Sequence, residues 1–166
     1  MSMTRHFYAG GERHVLEPAK EWLAIDTRAA VAAGLSGEIT ALPVGSKLPG
    51  GIILVDRAEC PGDLSARIDA AGAARPAYRS GRAVVVLMPE VRVEFDRSQH
   101  ADALRALSES EVSAEITDDA PDRLALRPRS GKGEDALDLA NYIYEHVRPA
   151  ASSVRMLQMV PKPLRR

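Results

Sequence analysis

Apolar residues along this chain recur in two rhythms, and the same succession of rhythms is met twice. From Glu21 to Tyr78, and again from Glu90 to Val160, they predict strand, helix, strand, strand, helix, strand. In the first pass, Trp22, Leu23, Ala24 and Ile25 predict a short strand, and Arg28–Ala33 an alanine-rich helix stopped by Gly34. Ile39–Val44 and Gly51–Asp56 read as two further strands. Leu64 and Ile68, one turn apart, mark a helix from Pro61 to Ala71, with Pro61 in its first turn and Gly72 as its stop. Ala74–Tyr78 closes the pass.

The second pass is prefaced by the apolar run Ala83–Met88, which Pro89 separates from Val91–Asp96. There Val91, Val93 and Phe95 alternate with Arg92 and Glu94, the mark of a strand with one buried face. Ser98 reads as the cap of a helix carrying Ala101, Leu104 and Leu107 on one side. Val112–Thr117 and Arg123–Arg127 form a strand pair turned by Asp118, Asp119, Pro121 and Asp122. Glu134–Val147 is the longest helix, with Leu137, Ala140, Ile143 and Val147 as its stripe, and Val154–Val160 is the closing strand. Ahead of both passes, His6–Leu16 reads as a hairpin turned by Gly10-Gly11.

The passes align at two places. Ile25-Asp26 corresponds to Phe95-Asp96, and Leu64 with Ile68 to Leu139 with Ile143. The offset of about 70–75 residues is that of a supersecondary unit repeated in tandem. The expected fold is therefore α+β: two tandem ferredoxin-like (βαββαβ) modules with an N-terminal β-hairpin. Each would be a four-stranded antiparallel sheet with two helices on one face, the first within residues 1–80 and the second within 81–166.

Composition narrows the function classes. Of 166 residues, 45% are hydrophobic and 27% charged, with a net charge of -1, so no basic excess points to nucleic acid. Arg123, Arg127, Arg129 and Lys132 lie close together, either as a local basic face or as a solvated strand end and loop. Cys60 is the single cysteine, which rules out an internal disulfide and a multi-thiol metal site and fits a reducing compartment. The opening Met1–His6 lacks the apolar core of a secretory signal, and no stretch approaches the roughly 20 apolar residues of a membrane span. The reading is a cytoplasmic protein, or a fragment of something larger.

Three stretches resemble the non-catalytic N-terminal, propeptide-like region of bacterial subtilisin-like serine proteases. They are Phe7–Pro18 with its glycine turn, Ala74–Arg79 followed by Val84–Leu87, and Leu124–Arg127 followed by Asp135–Asn141. The motifs that carry the aspartate, histidine and serine of the protease domain have no counterpart here. The resemblance implies a free-standing inhibitor, folding chaperone or regulatory subunit of a subtilisin-like protease. It also implies that Lys162, Pro163, Leu164, Arg165 and Arg166 act as a product-like tail. Pro161 and Pro163 favour an extended chain there, and the terminal arginines suit an acidic pocket.

The remaining candidates each carry two readings. Cys60 precedes a helix start, where the helix dipole lowers a thiol pKa, yet no histidine is near in sequence and a buried, inert thiol is the alternative. His6 and His14 either meet across the hairpin or stand solvated, and His100 and His146 lie exposed on helices. Asp118, Asp119 and Asp122 lack the alternation and distal glutamate of a calcium loop and read as a turn. Ser130–Glu134 lacks phosphate-loop spacing, and Glu134 would repel a phosphate. Tyr142 and Tyr144 divide between core rim and surface. No catalytic residue, cofactor or metal ligand is assigned. The expectation is a non-enzymatic protein-interaction module with no nucleic-acid or membrane partner. A tandem ferredoxin-like adaptor for an unrelated protein stands beside it, as does an enzyme built on Cys60 or the acidic cluster. Apolar residues on the sheet face away from the helices, without a cleft, would favour either binding reading over the enzyme.

Overall fold

The structure, a computed structural model, describes residues 4–161. It is mixed α and β, and its strands sort into two antiparallel sheets. The described residues divide into two compact units, one holding Glu17–Val86 and the other residues 4–16 with Leu87–Met156.

In the first unit the strands are β3 (Trp22–Asp26), β4 (Val44–Leu48), β5 (Ile52–Asp56) and β6 (Ala74–Arg75), ordered β4-β5-β3-β6. The strands β1 (Arg5–Ala9) and β2 (Glu12–Pro18) precede them as the hairpin. The helices are α1 (Thr27–Ala32), α2 (Ser36–Thr40) and α3 (Gly62–Ala70). Leu23 and Ile25 of β3 and Ile53 and Val55 of β5 point to one face, where they meet Ala30, Ile39, Leu64 and Ile68 of the three helices. The opposite face is buried as well, since Trp22, Ala24, Ile52 and Leu54 are at most 4% exposed. Asp26 joins sheet to helix: one carboxylate oxygen caps α1 at the amides of Arg28 and Ala29, and the other accepts from Arg75 at 2.8 Å.

Two readings of this unit are corrected. Ile39–Val44 is not a strand; α2 occupies its start and β4 begins at Val44. Leu35, Ile39 and Leu42 fall at i, i+4 and i+7, a helical period, and all three join the core. The closing strand is also broken at Pro76, which leaves β6 and a separate β7 (Ala77–Ser80). The latter pairs with the opening residues of β8 (Ala83–Glu94) and with the last two of β2.

The other unit contains the rest of β8, then α4 (His100–Glu109), β9 (Ala114–Ala120), β10 (Arg123–Pro128), α5 (Gly133–Val147) and β11 (Ala151–Met159). The sheet that holds β8 is not four-stranded as expected but has seven strands, in the order β1-β2-β7-β8-β10-β9 with β11 also paired to β8, because the hairpin and β7 add to it. The expected break at Pro89 is absent, and β8 is one strand of 12 residues. Proline has no amide to donate, but Pro89 falls between the register with β7 (Ala83–Val86) and the register with β10 (Val91–Glu94). Asp96, not Ser98, supplies the cap, in a reciprocal box with Gln99 across the 3-10 turn 97–99 that leads into α4. Its buried residues are Ala103 and Ala106, with Leu104 and Leu107 half-buried and Ala101 exposed. β9 runs on through Asp118 and Asp119 to Ala120.

Val91, Val93, Leu124, Leu126 and Val154 point to the helix side and are at most 4% exposed. The stripe of α5 is wider than a single-sided helix needs, with Gly133, Ala136, Leu137, Leu139, Ala140 and Ile143 buried and Val147 at the rim. α5 packs on β10 and α4, and β1 lies along another side of it. Arg5 bridges Glu134 and Asp138 at 3.0 Å each, Asn141 donates to the His6 carbonyl, and the rings of Tyr8 and Tyr144 stack 4.3 Å apart. The hairpin therefore belongs with α5, where the sequence alone sets it beside the first module. Burial raises the Asp138 carboxyl above its ordinary range, partly offset by Arg5. The hydrogen bond to Glu145 is the main reason the Tyr8 phenol is also raised. Gly10 and Gly11 have φ of 60° and 77°, the left-handed pair that a two-residue hairpin turn requires.

α5 starts at a tight contact, because a Cβ on Gly133 would collide with the Leu87 carbonyl. Gly133→Ala is expected to cost about 1–3 kcal/mol in urea unfolding. Gly62→Ala, with open space around it, should stabilise by up to about 1 kcal/mol. Equal effects of the two substitutions would contradict this packing.

Candidate functional site

The alternation that buries Val91, Val93, Leu124 and Leu126 turns their neighbours to the other side of the sheet. Glu90, Arg92 and Glu94 of β8, Arg123 and Arg127 of β10, and Ser153 and Arg155 of β11 are all exposed. This open face is charged and not apolar, so it lacks the feature that would favour the binding readings over an enzyme. A groove of about 620 Å³ crosses it, lined by Glu90, Arg92, Thr117, Ala125, Arg127 and Arg155 together with Ser153.

Strand geometry places each lining group. Arg92 stands opposite Ala125 in the β8–β10 register, so a methyl group leaves space beside the guanidinium. Between β9 and β10 the pairing steps from Asp118–Ala125 to Ile116–Leu126, and Thr117 is the extra residue of this bulge. Bulges re-aim side chains, and this one brings Thr117 to the groove. Glu90 is bound by Arg155 at 3.1 Å. Among the described residues, neither Arg92 nor Arg127 forms an ion pair, although Glu115 is the register partner of Arg127. Arg123 is held by Asp118 at 3.1 Å. Of the local basic run, then, only Arg127 lines the groove, and it does so with Arg92 from a different strand.

The other candidates are drawn into structure. Cys60 is 7% exposed; burial pushes its thiol pKa up, Arg57 pulls it down and Asp63 adds to the rise. The histidines of the hairpin do not meet. Phe7 stacks on His14 at 5.0 Å, while His6 faces Arg13 and Glu145. His100 pairs with Asp119 at 2.7 Å, and His146 stacks on Tyr142 and donates to its carbonyl. The remaining ring contact is that of His14 with the Ala9 carbonyl at 3.3 Å. Asp118 and Asp119 are taken by Arg123 and His100, and no group of three or more metal-ligating side chains occurs among the described residues. Ser130 donates to Asp135 and accepts from the Lys132 amide, and Gly133 seals the start of α5 against Leu87, which leaves no cradle for a phosphate. Tyr144 lies between Tyr8 and the Arg148 guanidinium, and Tyr142 lies under His146. The tail from Lys162 to Arg166 lies outside the described residues.

A second hollow of about 530 Å³ includes Asp96, Gln99, Asp122 and Arg148. Asp96 and Gln99 are committed to the capping box, and the Gln99 amide also donates to the carbonyls of Val147 and Arg148, so this hollow is a seam between helix ends. No helix among the described residues is long and apolar enough to cross a membrane. No protein-family model matches the chain, and no curated protein or solved structure is significantly similar to it.

Burial and the raised thiol pKa together predict slow chemistry at Cys60. Its reaction with a disulfide reagent at pH 7 should be at least about tenfold slower in the native protein than in denaturant. Equal rates would show an open, activated thiol.

Proposed function

We propose that this chain is a non-enzymatic protein-interaction module made of two tandem ferredoxin-like repeats, presenting the open sheet face of its second repeat to a protein partner. The observation that carries the reading is that face, an open part of the larger sheet opposite two packed helices, where charged side chains and not apolar ones would supply the contacts. The strand orders β4-β5-β3-β6 and β9-β10-β8-β11 support the repeat, because each sets the first and third strands of a βαββαβ unit at the centre. The face of the first repeat is already buried, so the two copies are not equivalent as surfaces. Fold alone does not fix a function, and the argument rests on the exposed side chains.

The proposed partner is a subtilisin-like serine protease, with the chain acting as propeptide-like inhibitor, chaperone or regulatory subunit in the cytoplasm. The glycine-turn hairpin and the two other resembling stretches support this choice. The charged character of the face favours a second reading, an adaptor for an unrelated partner with a complementary charged surface.

The test is inhibition of bacterial subtilisin-like proteases on a peptide substrate. The full chain should inhibit. Deleting Lys162–Arg166 should weaken inhibition and shift the thermal midpoint by less than about 2 °C. Binding without inhibition, and without effect of the deletion, would leave the adaptor reading. Peptide hydrolysis by the purified chain that is lost in Cys60→Ser would overturn both.

A further inference from the structure

We infer that the groove on the open face binds a carboxylate-bearing segment of the protein partner, an extended acidic peptide, through Arg92 and Arg127. The inference rests on the interaction-module reading and adds the chemistry of the ligand. Four charged side chains line the groove, one carboxylate and three guanidinium groups. Glu90 and Arg155 neutralise each other at 3.1 Å. Arg92 and Arg127 are left as two cations on adjacent strands, both exposed and neither ion-paired among the described residues.

Their placement suits carboxylates. Arg92 opposes Ala125 in register, and Arg127 is two residues further along the same face of β10. This diagonal relation sets the two Cα atoms about 7–8 Å apart. Side chains alternating along an extended peptide repeat at nearly that spacing, about 6.6 Å for residues i and i+2. A guanidinium presents a planar fork that engages a carboxylate through two parallel hydrogen bonds. The hydroxyls of Thr117 and Ser153 border the same groove and supply neutral donors beside the arginines. Ala125 keeps the floor low between them. Nucleic acid fits less well, because no aromatic side chain lines the groove to stack on a base.

The test is a titration of the isotopically labelled full chain, followed by amide NMR, with a short end-blocked peptide alternating Glu and Ser. Its Gln counterpart, free citrate and a short oligouridylate serve as comparison ligands. The expected result is saturable shifts confined to residues 90–92, 115–117, 125–127 and 153–155. Binding should weaken with added salt and be absent for the Gln peptide. The double substitution R92A/R127A should weaken binding at least about tenfold, while Arg82→Ala, in the exposed β7–β8 turn, leaves it unchanged. R92K/R127K keeps both charges, loses the fork and should give intermediate binding, which serves as the variant if the alanine pair unfolds. Shifts elsewhere, equal binding of the Gln peptide, or indifference to the arginines would overturn the inference. So would citrate binding as tightly as the peptide, which would make the groove a small-anion site, or preferential binding of the oligonucleotide. A protein partner captured by the open face with unchanged affinity in R92A/R127A would sink this inference and leave the interaction-module reading standing.

Discussion

The architecture turns on a change of burial within one strand. Val84, Val85, Val86 and Leu87 of β8 are all fully buried, so neither side of the strand meets solvent there. From Val91 onward the same strand is buried on alternate residues, with Glu90, Arg92 and Glu94 outside. Burying a valine side chain contributes about 1.5–3 kcal/mol, and a charged residue in the same slot would cost more than that unless paired. The sequence therefore cannot slip by one residue in this stretch without burying three charges. That register fixes which face of the second sheet is open and which side chains stand on it.

Much of this is legible in the sequence. The alternation from Val91 to Phe95, the glycine pair of the hairpin and the aspartates closing both first strands are local signals, and local chemistry decides them. Asp26 and Asp96 both act as caps, although at the second position the sequence points to Ser98 and it is Gln99 that completes the cap. The failures share a cause. Pro89 reads as a break until the neighbours of β8 are known to change there, and Ile39 and Thr40 read as strand because β-branched residues favour it locally. Attachment of the hairpin to α5 depends on Arg5, Asn141 and Tyr144, more than a hundred residues apart in sequence, with no local trace.

The surface followed the same division. Arg123, Arg127, Arg129 and Lys132 attract notice as a linear cluster, yet linear proximity is the wrong measure in a strand. A period of two puts Arg123, Ala125 and Arg127 on one face, and only pairing with β8 adds Arg92. Arg123 is then removed by Asp118. Thr117 could not have been found from the sequence, because its place depends on a bulge whose register involves two strands. The product-like tail that the resemblance implies, from Lys162 to Arg166, lies outside the described residues.

A charge scan along β8 tests this account most directly. Lysine placed singly at each position from Val84 to Glu94 should divide the strand in urea unfolding. At Val91 and Val93 it should cost about 3 kcal/mol or more, while at Arg92 and Glu94 the change should stay within about 0.5 kcal/mol and at Glu90, where the pair with Arg155 is lost, within about 1 kcal/mol. From Val84 to Leu87 every substitution should be costly, with no alternation. Losses at Arg92 and Glu94 as large as those at Val91 and Val93 would mean that the face is covered, and tolerance at alternate positions between Val84 and Leu87 would mean that the strand is open on one side throughout; either result would contradict the structure described.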